Sequence, residues 1–521
     1  MPGQGPSSAS AGDDERLLPY VAGLALSWLR DTPGERSRTV DGSLAFVDIS
    51  GFTKLTERLA AQGKSGAEEL SVILDDTFSA LLAVAYDHGA QLVKWGGDAV
   101  LLLFTGADHA PRACRAAHEM RRTMARTGRL RTSAGAVTLR MSVGIHSGAF
   151  HFFLVGSHHH ELIVTGPGAT AAALAEGAAA AGEIVVSAET AALLGAGAVG
   201  PALDGGRHLL RRVPVIALDP APRTATSDGV EVGSCLTAVL REHLLAGGTD
   251  AEHRLVAVAF VEFAGVDELL DEAGAAAVGA ALETVVGAAQ EACVRHGVTF
   301  WETDISAGGG KIMLVAGVPH SVDDAAGALL GAAGEILTAA ADGPLRVRVG
   351  INDGRVFFGG FGPHYRRTYS VKGDAVNLAA RVMGKAAYGE TWATESAIEH
   401  SRFAFDAAPL EPFQVKGKAL PVHAYRVGAM VRAASDAVDD DVPLVGRERE
   451  MHALDDAMAD VRSGTGRLVE VVGEPGIGKS RLIQEMQRRY ADVPTAVVAC
   501  DSYHSSTPYA PFRTLLRHLL G

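Results

Sequence analysis

Cysteine is scarce in this chain. There are four in 521 residues (Cys114, Cys235, Cys293 and Cys500), and no two form a CxxC pair. That excludes a disulfide framework or a Cys-based zinc site and fits a reduced intracellular setting. Long apolar runs are missing as well. Crossing a bilayer takes roughly 20 consecutive apolar residues, and the Ala/Gly-rich stretch from Ala273 to Gln290 is interrupted by Glu283. It reads as a packed helix, so no membrane span is expected. The opening MPGQGPSSASAGDDER lacks the basic-then-apolar pattern of a signal peptide, and a cytoplasmic protein is expected. Positive charge is also short: 47 Lys and Arg against 61 Asp and Glu leave −14, which argues against a broad nucleic-acid surface but not against a local nucleotide pocket. What is present, 47% hydrophobic and 21% charged residues, is ordinary globular composition, and the length calls for about three domains.

Residues 1–15 are small and polar and are expected to be disordered. Residues 16–30, containing LLPYVAGLALSWLR, read as an amphipathic lead-in helix. From about 40 to 220, strand-like runs (SLAFVDI, QLVKW, AVLLLF, VTLRMSVGI, EIVVS) alternate with Ala/Leu/Glu-rich helical segments. The same order returns from about 253 to 428: LAFVDISGFTKL at 44–55 is answered by VAFVEFAGVDEL at 258–269, and MSVGIHSG at 141–148 by VRVGINDG at 347–354. An internal duplication follows. The expected layout is a first domain over 16–220, a linker over 221–250, a second domain over 251–428, an acidic linker over 429–442 and a third domain over 443–521. Alternating strands and helices predict α/β units. VTLRMSVGI, its turn and HFFLVG read as a hairpin, so a mixed sheet is expected.

In the first copy, Asp48 ends a strand that turns into a helix through Gly51, Phe52 and Thr53; the new helix offers free N–H groups to a phosphate. Asp98 lies in a Gly-Gly-Asp turn between apolar strands. Taken singly, Asp48 reads as a helix cap and Asp98 as a turn residue. Taken together, two hard oxygen ligands beside a phosphate cradle suit Mg²⁺ or Mn²⁺. The second copy has Glu262 for Asp48, and AGGGKIML puts Gly310 or its neighbour where Asp98 stood. It holds instead RRTYSVKGDAVNLAARV, in which Asn377 and Arg381 share one helix face. The first copy carries Thr170 and Leu174 at those places. Each copy therefore keeps what the other lacks, which implies one site between the two domains and an empty opposite pseudo-site.

FVDISGFT followed by KWGGDAVLL resembles the metal-binding half of the class III nucleotidyl cyclases, and the tandem pair resembles their soluble adenylyl cyclases in particular. The resemblance implies two ferredoxin-like domains (α/β, of the α+β kind) in a pseudo-twofold arrangement. Asp48 and Asp98 would hold two Mg²⁺ or Mn²⁺ ions, assisted by the Ile49 carbonyl. Asn377 would orient the ribose, Arg381 would stabilise the pentavalent phosphate, and Lys416 or Lys418 would bind the triphosphate. Ser370 resembles the hydroxyl residue that favours adenine. A second base-reading residue, usually Lys, is expected near WETDISAGGGK, where the candidate positions carry Ile305, Ser306 or Gly308, with Asp304 and Lys311 nearby. The implied reaction converts ATP to 3′,5′-cyclic AMP and pyrophosphate. A guanylyl cyclase and a silent nucleotide-sensing pair on a signalling ATPase are the alternatives. The subgroup's bicarbonate control uses a Lys, matched by Lys94, and an Arg whose place falls at Ala172 or Ala173, so bicarbonate control is not expected. The SHHHEL run at 157–162 reads as a solvated loop.

GEPGIGKS, from Gly473 to Ser480, is a complete GxxxxGK[ST] loop following the apolar run GRLVEVVG. Gly473, Gly476 and Gly478 would shape a cradle for ATP, with Lys479 on the β/γ phosphates and Ser480 on Mg²⁺. The preceding VGRE box resembles the start of AAA/STAND-type regulatory ATPases. About 40 residues follow the loop, so an incomplete ATPase domain, a fragment or truncated regulator, is expected.

Overall fold

A computed structural model of the chain describes residues 11–60, 62–97, 99–195, 197–213, 215–218, 220–248, 251–415, 420–433, 446–472 and 479–495. The chain divides into two units, Met1–Val431 and Arg432–Gly521.

The larger unit opens with α1 (Ala11–Leu17) and α2 (Gly23–Asp31), joined by a 3₁₀ turn at Leu18–Tyr20. Two expectations are corrected here. Residues 11–15 are helical, and the lead-in is two helices because Pro19 cannot continue the first. There follow β1 (Ser37–Ser50), α3 (Phe52–Ala60), α4 (Gly63–Asp87), β2 (Ala90–Gly96), β3 (Ala99–Thr105), α5 (His109–Thr127), β4 (Arg129–Thr132), β5 (Gly135–Thr138), β6 (Arg140–Val155), β7 (Glu161–Thr165), α6 (Pro167–Gly177), β8 (Ile184–Val186), α7 (Ala188–Leu194), β9 (Val199–Ala202) and β10 (His208–Leu210). The strands order β2-β3-β1-β6-β8-β10-β9, with β7 also on β6. The sheet is mixed, as expected, through the parallel β6·β8 pair. The expected hairpin inside 138–155 does not form: Arg140–Val155 is one continuous strand, whose alternating apolar side chains pack on both faces of the sheet. Helix α4 buries Leu70, Leu74, Phe78, Leu81, Leu82 and Ala85, an apolar stripe at three- and four-residue spacing.

Residues 221–250, expected to be a linker, are structured in part. A 3₁₀ turn at Val232–Cys235 and α8 (Ala238–Leu245) bury Val232 and Leu244. Arg16 donates to the Leu244 carbonyl at 3.0 Å and Asp14 accepts from the Val232 N–H at 3.3 Å, so the segment is tied to α1.

The second domain repeats the first: β11 (Glu252–Ala264), α9 (Val266–His296), β12 (Thr299–Ser306), β13 (Gly309–Ala316), α10 (Ala325–Ala340), β14 (Arg346–Phe361), β15 (Thr368–Lys372), α11 (Asp374–Met383), β16 (Thr391–Thr394), α12 (Glu395–Glu399), β17 (Phe403–Pro409) and β18 (Ala424–Ala433). Its order, β12-β13-β11-β14-β16-β18-β17 with β15 on β14, matches the first sheet strand for strand. The Ala/Gly-rich stretch is helical within α9, which breaks at Gly274 where φ is +77°.

Each domain sends a hairpin onto the other. Phe361, at the end of β14, stacks on Phe78 of α4 with centroids 5.2 Å apart, and the Gly362 N–H donates to Asp75 at 2.8 Å. Reciprocally, the chain between β6 and β7 meets α9, where the His158 N–H donates to Gln290 at 2.9 Å and Gln290 donates to the His159 carbonyl at 3.0 Å. The pair is thus pseudo-twofold. His159, expected in a solvated loop, is buried by this contact and lies edge-on to Phe300.

The smaller unit has α13 (Glu448–Arg462) and α14 (Lys479–Arg489), packed through Met451, Leu454 and Leu482. The apolar run expected to precede the P-loop as a strand forms none over 466–472, and Leu468 is 99% exposed. A strand needs a neighbour for its backbone groups, and among the described residues no strand lies wholly within this unit.

Candidate active site

The two copies can be aligned by hydrogen-bond register, without reference to residue type. Gly148 pairs with Gly42 on β1, and Gly354 pairs with Val256 on β11. Counting along each central strand makes Asp48 and Glu262 equivalent, so the substitution of the acid is real and not an offset. Asp48 pairs with Ala99 and Glu262 with Lys311, which makes Gly310 the counterpart of position 98. Asp98 itself lies outside the described residues.

Asp48 sits half-buried near the C-terminal end of β1, and Ile49 beside it is fully buried in the core. The chain turns at Gly51 with φ +107°, where a Cβ would meet the Thr138 carbonyl at 3.0 Å. Helix α3 follows and seals the turn with Phe52, stacked on Phe78 at 5.8 Å; Thr53 lies in its first turn. Across the domain boundary stands α11, which carries Asn377 and Arg381, both half-buried. The crossing of α11 over β14 demands Gly350, because a Cβ there would lie 2.1 Å from the Met383 nitrogen. Ser370 is buried on β15, opposite Gly359 of β14. Lys416 and Lys418 lie outside the described residues.

The mirror positions differ chemically. Opposite Asp48 on β6 stands Ser142; opposite Glu262 on β14 stands Arg348. Arg348 donates through Nε to Glu262 at 2.5 Å, Ser306 donates to the same carboxylate at 2.8 Å, and the guanidinium lies over Tyr388. The second acid is therefore held inside its own domain by a cation. Thr170, the counterpart of Asn377, accepts from the Gly308 N–H at 2.9 Å, and Leu174, the counterpart of Arg381, is 47% exposed.

Two residues missed in the sequence lie at the centre. Lys372 follows Ser370 by two positions, on the same face of β15. It is 6% exposed, donates to the Gly97 carbonyl of the first domain and lies 4.7 Å from the Phe361 ring centre. Glu302 is the other. A register shift between Leu92 and Lys94 in the first hairpin is repeated between Phe300 and Glu302 in the second, which makes Glu302 the counterpart of Lys94. Counting along the sequence pointed instead to Ile305, Ser306 or Gly308. The second hairpin closes at Ser306·Gly309, two residue pairs beyond the level at which Gly96·Ala99 closes the first, and that extension displaces the count. Burial raises the Glu302 carboxyl to about 7 against the opposing pull of Lys372.

Lys94 is committed elsewhere. It bonds Glu161 at 2.5 Å and also Thr303, with the Lys94 and Glu161 side chains only 10% and 13% exposed. Burial works to raise Glu161, but Lys94 and His159 outweigh it and hold the carboxyl at about 2. A lysine neutralised in this way offers no free charge to an external anion.

Among the described residues no group of three or more His, Cys, Asp or Glu side chains is placed to hold an ion. Asp48 faces Ser142 across the strand pair where Glu262 faces Arg348, and a carboxylate is the kind of hard oxygen donor that suits Mg²⁺. In the smaller unit Lys479 opens α14, followed by Ser480, while Gly473, Gly476 and Gly478 lie outside the described residues.

Two matched sheets, docked so that one domain brings the acid and the other the Asn/Arg helix, define a tandem nucleotidyl cyclase architecture. The adenylate and guanylate cyclase catalytic domain family matches residues 35–202 and 249–428, and the chain belongs to that family. An AAA ATPase domain matches residues 443–521. Adenylate cyclase type 10 of rat and of human are each 44% identical to the chain over 66 residues, 12% of this chain and 4% of the relative; the chain thus matches a small part of those proteins' length. Among solved structures, a class III adenylyl cyclase-like ATP-binding protein from Pseudomonas aeruginosa aligns with TM-score 0.52 at 14% identity, covering 76% of this chain and 93% of that one. At that identity the likeness concerns the fold.

Proposed function

We propose that the tandem pair is an adenylyl cyclase that converts ATP to 3′,5′-cyclic AMP and pyrophosphate at one site between the domains. The observation that carries this reading is the unequal treatment of equivalent residues. Arg348 stands opposite Glu262 and pairs with it, where Ser142 stands opposite Asp48; Thr170 and Leu174 occupy the places that α11 fills with Asn377 and Arg381. A scaffold has no use for that asymmetry. Asp48, with Asp98 and the Ile49 carbonyl, would hold the two Mg²⁺ or Mn²⁺ ions. The metal's contribution is to acidify the ribose 3′-hydroxyl and offset charge on the phosphates. Asn377 orients the ribose, and the always-charged Arg381 fork stabilises the α-phosphate as its bond to pyrophosphate breaks. The turn at Gly51, Phe52 and Thr53 receives phosphate on helix N–H groups, with Lys416 or Lys418 on the triphosphate. ATP is the preferred reading because of Ser370 and because the curated relatives matched over 66 residues are named adenylate cyclases.

One observation favours GTP as a second reading. Glu302 is a carboxyl beside the Ser370 strand, and a carboxylate accepts hydrogen bonds from N1–H and N2–H of guanine, which adenine lacks. In the third domain the P-loop from Gly473 to Ser480 would bind ATP and regulate the pair. The test is cyclic nucleotide formation from ATP and from GTP with Mg²⁺ or Mn²⁺, beside Asp48→Ala and Arg381→Ala. Cyclic AMP formation abolished by both substitutions supports the shared site. Cyclic GMP as the sole product supports the second reading. Binding without turnover of either nucleotide overturns the enzyme reading and leaves a nucleotide sensor.

A further inference from the structure

We propose that Lys372 is a positioning residue: its buried ammonium fastens the β2–β3 hairpin of the first domain onto the second domain and so assembles the metal-binding edge against the Asn377/Arg381 helix. The inference rests on the shared-site reading above.

Lys372 comes from β15, five residues before Asn377 and in the segment that leads into α11. Its Nζ donates to the carbonyl of Gly97, the residue preceding Asp98 in the sequence. The ring centres of Phe361, from its own domain, and Phe78, from the first, lie 4.7 and 5.9 Å away. Phe78 also packs against Phe52 of α3, the helix that follows Asp48. One side chain thus touches the β2–β3 hairpin and α4, which packs on the helix that follows Asp48, and it stands on the strand that leads to the Asn377/Arg381 helix. The ammonium is shielded from water, so its donors must be satisfied by the protein. The Gly97 carbonyl, two aromatic faces and the nearby Glu302 carboxyl supply that compensation.

The pseudo-symmetric contact argues for a docking function. Register places Thr165 at the counterpart of Lys372: Phe357 pairs with Lys372 and His151 with Thr165. Thr165 donates to the Gly309 carbonyl at 2.9 Å, so the second hairpin is fastened by the first domain in the same way. The empty side is tied by a short neutral hydroxyl. The side that keeps Asp48, Asn377 and Arg381 is tied by a long, charged donor, which forms the stronger hydrogen bond.

The test compares wild-type full-length chain with Lys372→Met, Lys372→Arg and Thr165→Val. Hydrogen–deuterium exchange of peptides from 90–105 and 299–316 is read alongside the free Mg²⁺ needed for half-maximal cyclase rate. The expected result for Lys372→Met is exchange at least about tenfold faster in 90–105 but unchanged in 299–316, with a rise of about tenfold or more in the Mg²⁺ requirement. Lys372→Arg recovers part of both. Thr165→Val loosens 299–316 and leaves the Mg²⁺ requirement alone. Unchanged exchange in 90–105 in Lys372→Met overturns the proposal, as does a wild-type Mg²⁺ requirement in a variant that Arg381→Ala still silences. If wild type cyclises neither nucleotide, the shared-site reading has failed separately, and the exchange result alone decides whether the hairpin is fastened.

Discussion

Replacing Glu161 by Gln tests whether the domain boundary is held by a buried charge pair. In the folded chain the carboxyl stands at about 2, against an ordinary value of 4.5. Each tenfold strengthening of its acidity corresponds to about 1.4 kcal/mol, so ionised Glu161 contributes about 3 kcal/mol at neutral pH. Its sign is that of a depressed acid: the stabilisation is present above 4.5 and is lost as pH falls from there toward 2. It should shrink to about 1 kcal/mol at pH 3. Glu161→Gln leaves Lys94 buried without its counter-ion, a loss of about 3–5 kcal/mol. Lys94→Met combined with Glu161→Met should cost much less, because no buried charge is then stranded. All four tryptophans (Trp28, Trp95, Trp301 and Trp392) lie in the larger unit, so denaturant unfolding followed by tryptophan fluorescence reports the cyclase pair and not the third domain. A Glu161→Gln variant within about 0.5 kcal/mol of wild type at pH 7, or a difference that does not change between pH 7 and pH 3, would refute the reasoning.

Three further outcomes can be checked. Gly350→Ala should push α11 off β14, since the added methyl meets the Met383 backbone at 2.1 Å; cyclase kcat should fall by at least about tenfold, with a loss of about 1–3 kcal/mol in stability. Burial pushes the Cys114 and Cys235 thiols up to about 12 and Cys293 up as well, so iodoacetamide at pH 8 should leave all three unmodified in the native chain, as read by peptide mass spectrometry. Glu302→Gln should lower the ratio of GTP to ATP use if the carboxyl reads guanine; an unchanged ratio in competition assays removes the second reading of the substrate.

Much of the architecture was legible because it was written twice. The echo of LAFVDISGFTKL in VAFVEFAGVDEL located both central strands, and the register agrees with the pairing of Asp48 with Glu262 that spacing alone suggested. Asn377 and Arg381 were legible for the same reason, as a helical pair with a mismatched counterpart at Thr170 and Leu174. What could not be read was anything that depends on three-dimensional partners. VTLRMSVGI and HFFLVG read as the two arms of a hairpin, yet the neighbours on both edges of Arg140–Val155 hold it as one extended strand. Glu302 was missed because a longer hairpin shifts the sequence count while leaving the register intact. Lys372 carries no signature of its own. In TYSVKG it reads as a solvated lysine, and only the approach of Gly97, Phe78 and Phe361 makes it a buried one. A period-two reading of β15 could have found it, since it shares a face with Ser370.

The fate of the duplicated acid follows from the residue across the strand. A carboxylate at the end of a central strand, near a domain boundary, carries a desolvation cost that some cation must offset. In the second domain Arg348 supplies it permanently: the guanidinium reaches Glu262 through two of its nitrogens and stacks on Tyr388, leaving no vacancy for an ion. In the first domain the equivalent position is Ser142, whose hydroxyl turns away to Glu176 at 3.1 Å. Along this strand pair the residue opposite Asp48 therefore brings a neutral hydroxyl where the residue opposite Glu262 brings a guanidinium. The same division explains the hairpins. Where the acid is internally balanced, a neutral threonine fastens the opposing loop. On the side that carries Asp48, the loop is fastened by Lys372, whose ammonium acts on the buried Glu302 carboxyl. Exchanging Ser142 for Arg should therefore abolish cyclase activity by recreating the Arg348 pair around Asp48, with the fold intact by melting temperature. An active Ser142→Arg enzyme would show that Asp48 is not the residue that needs the ion.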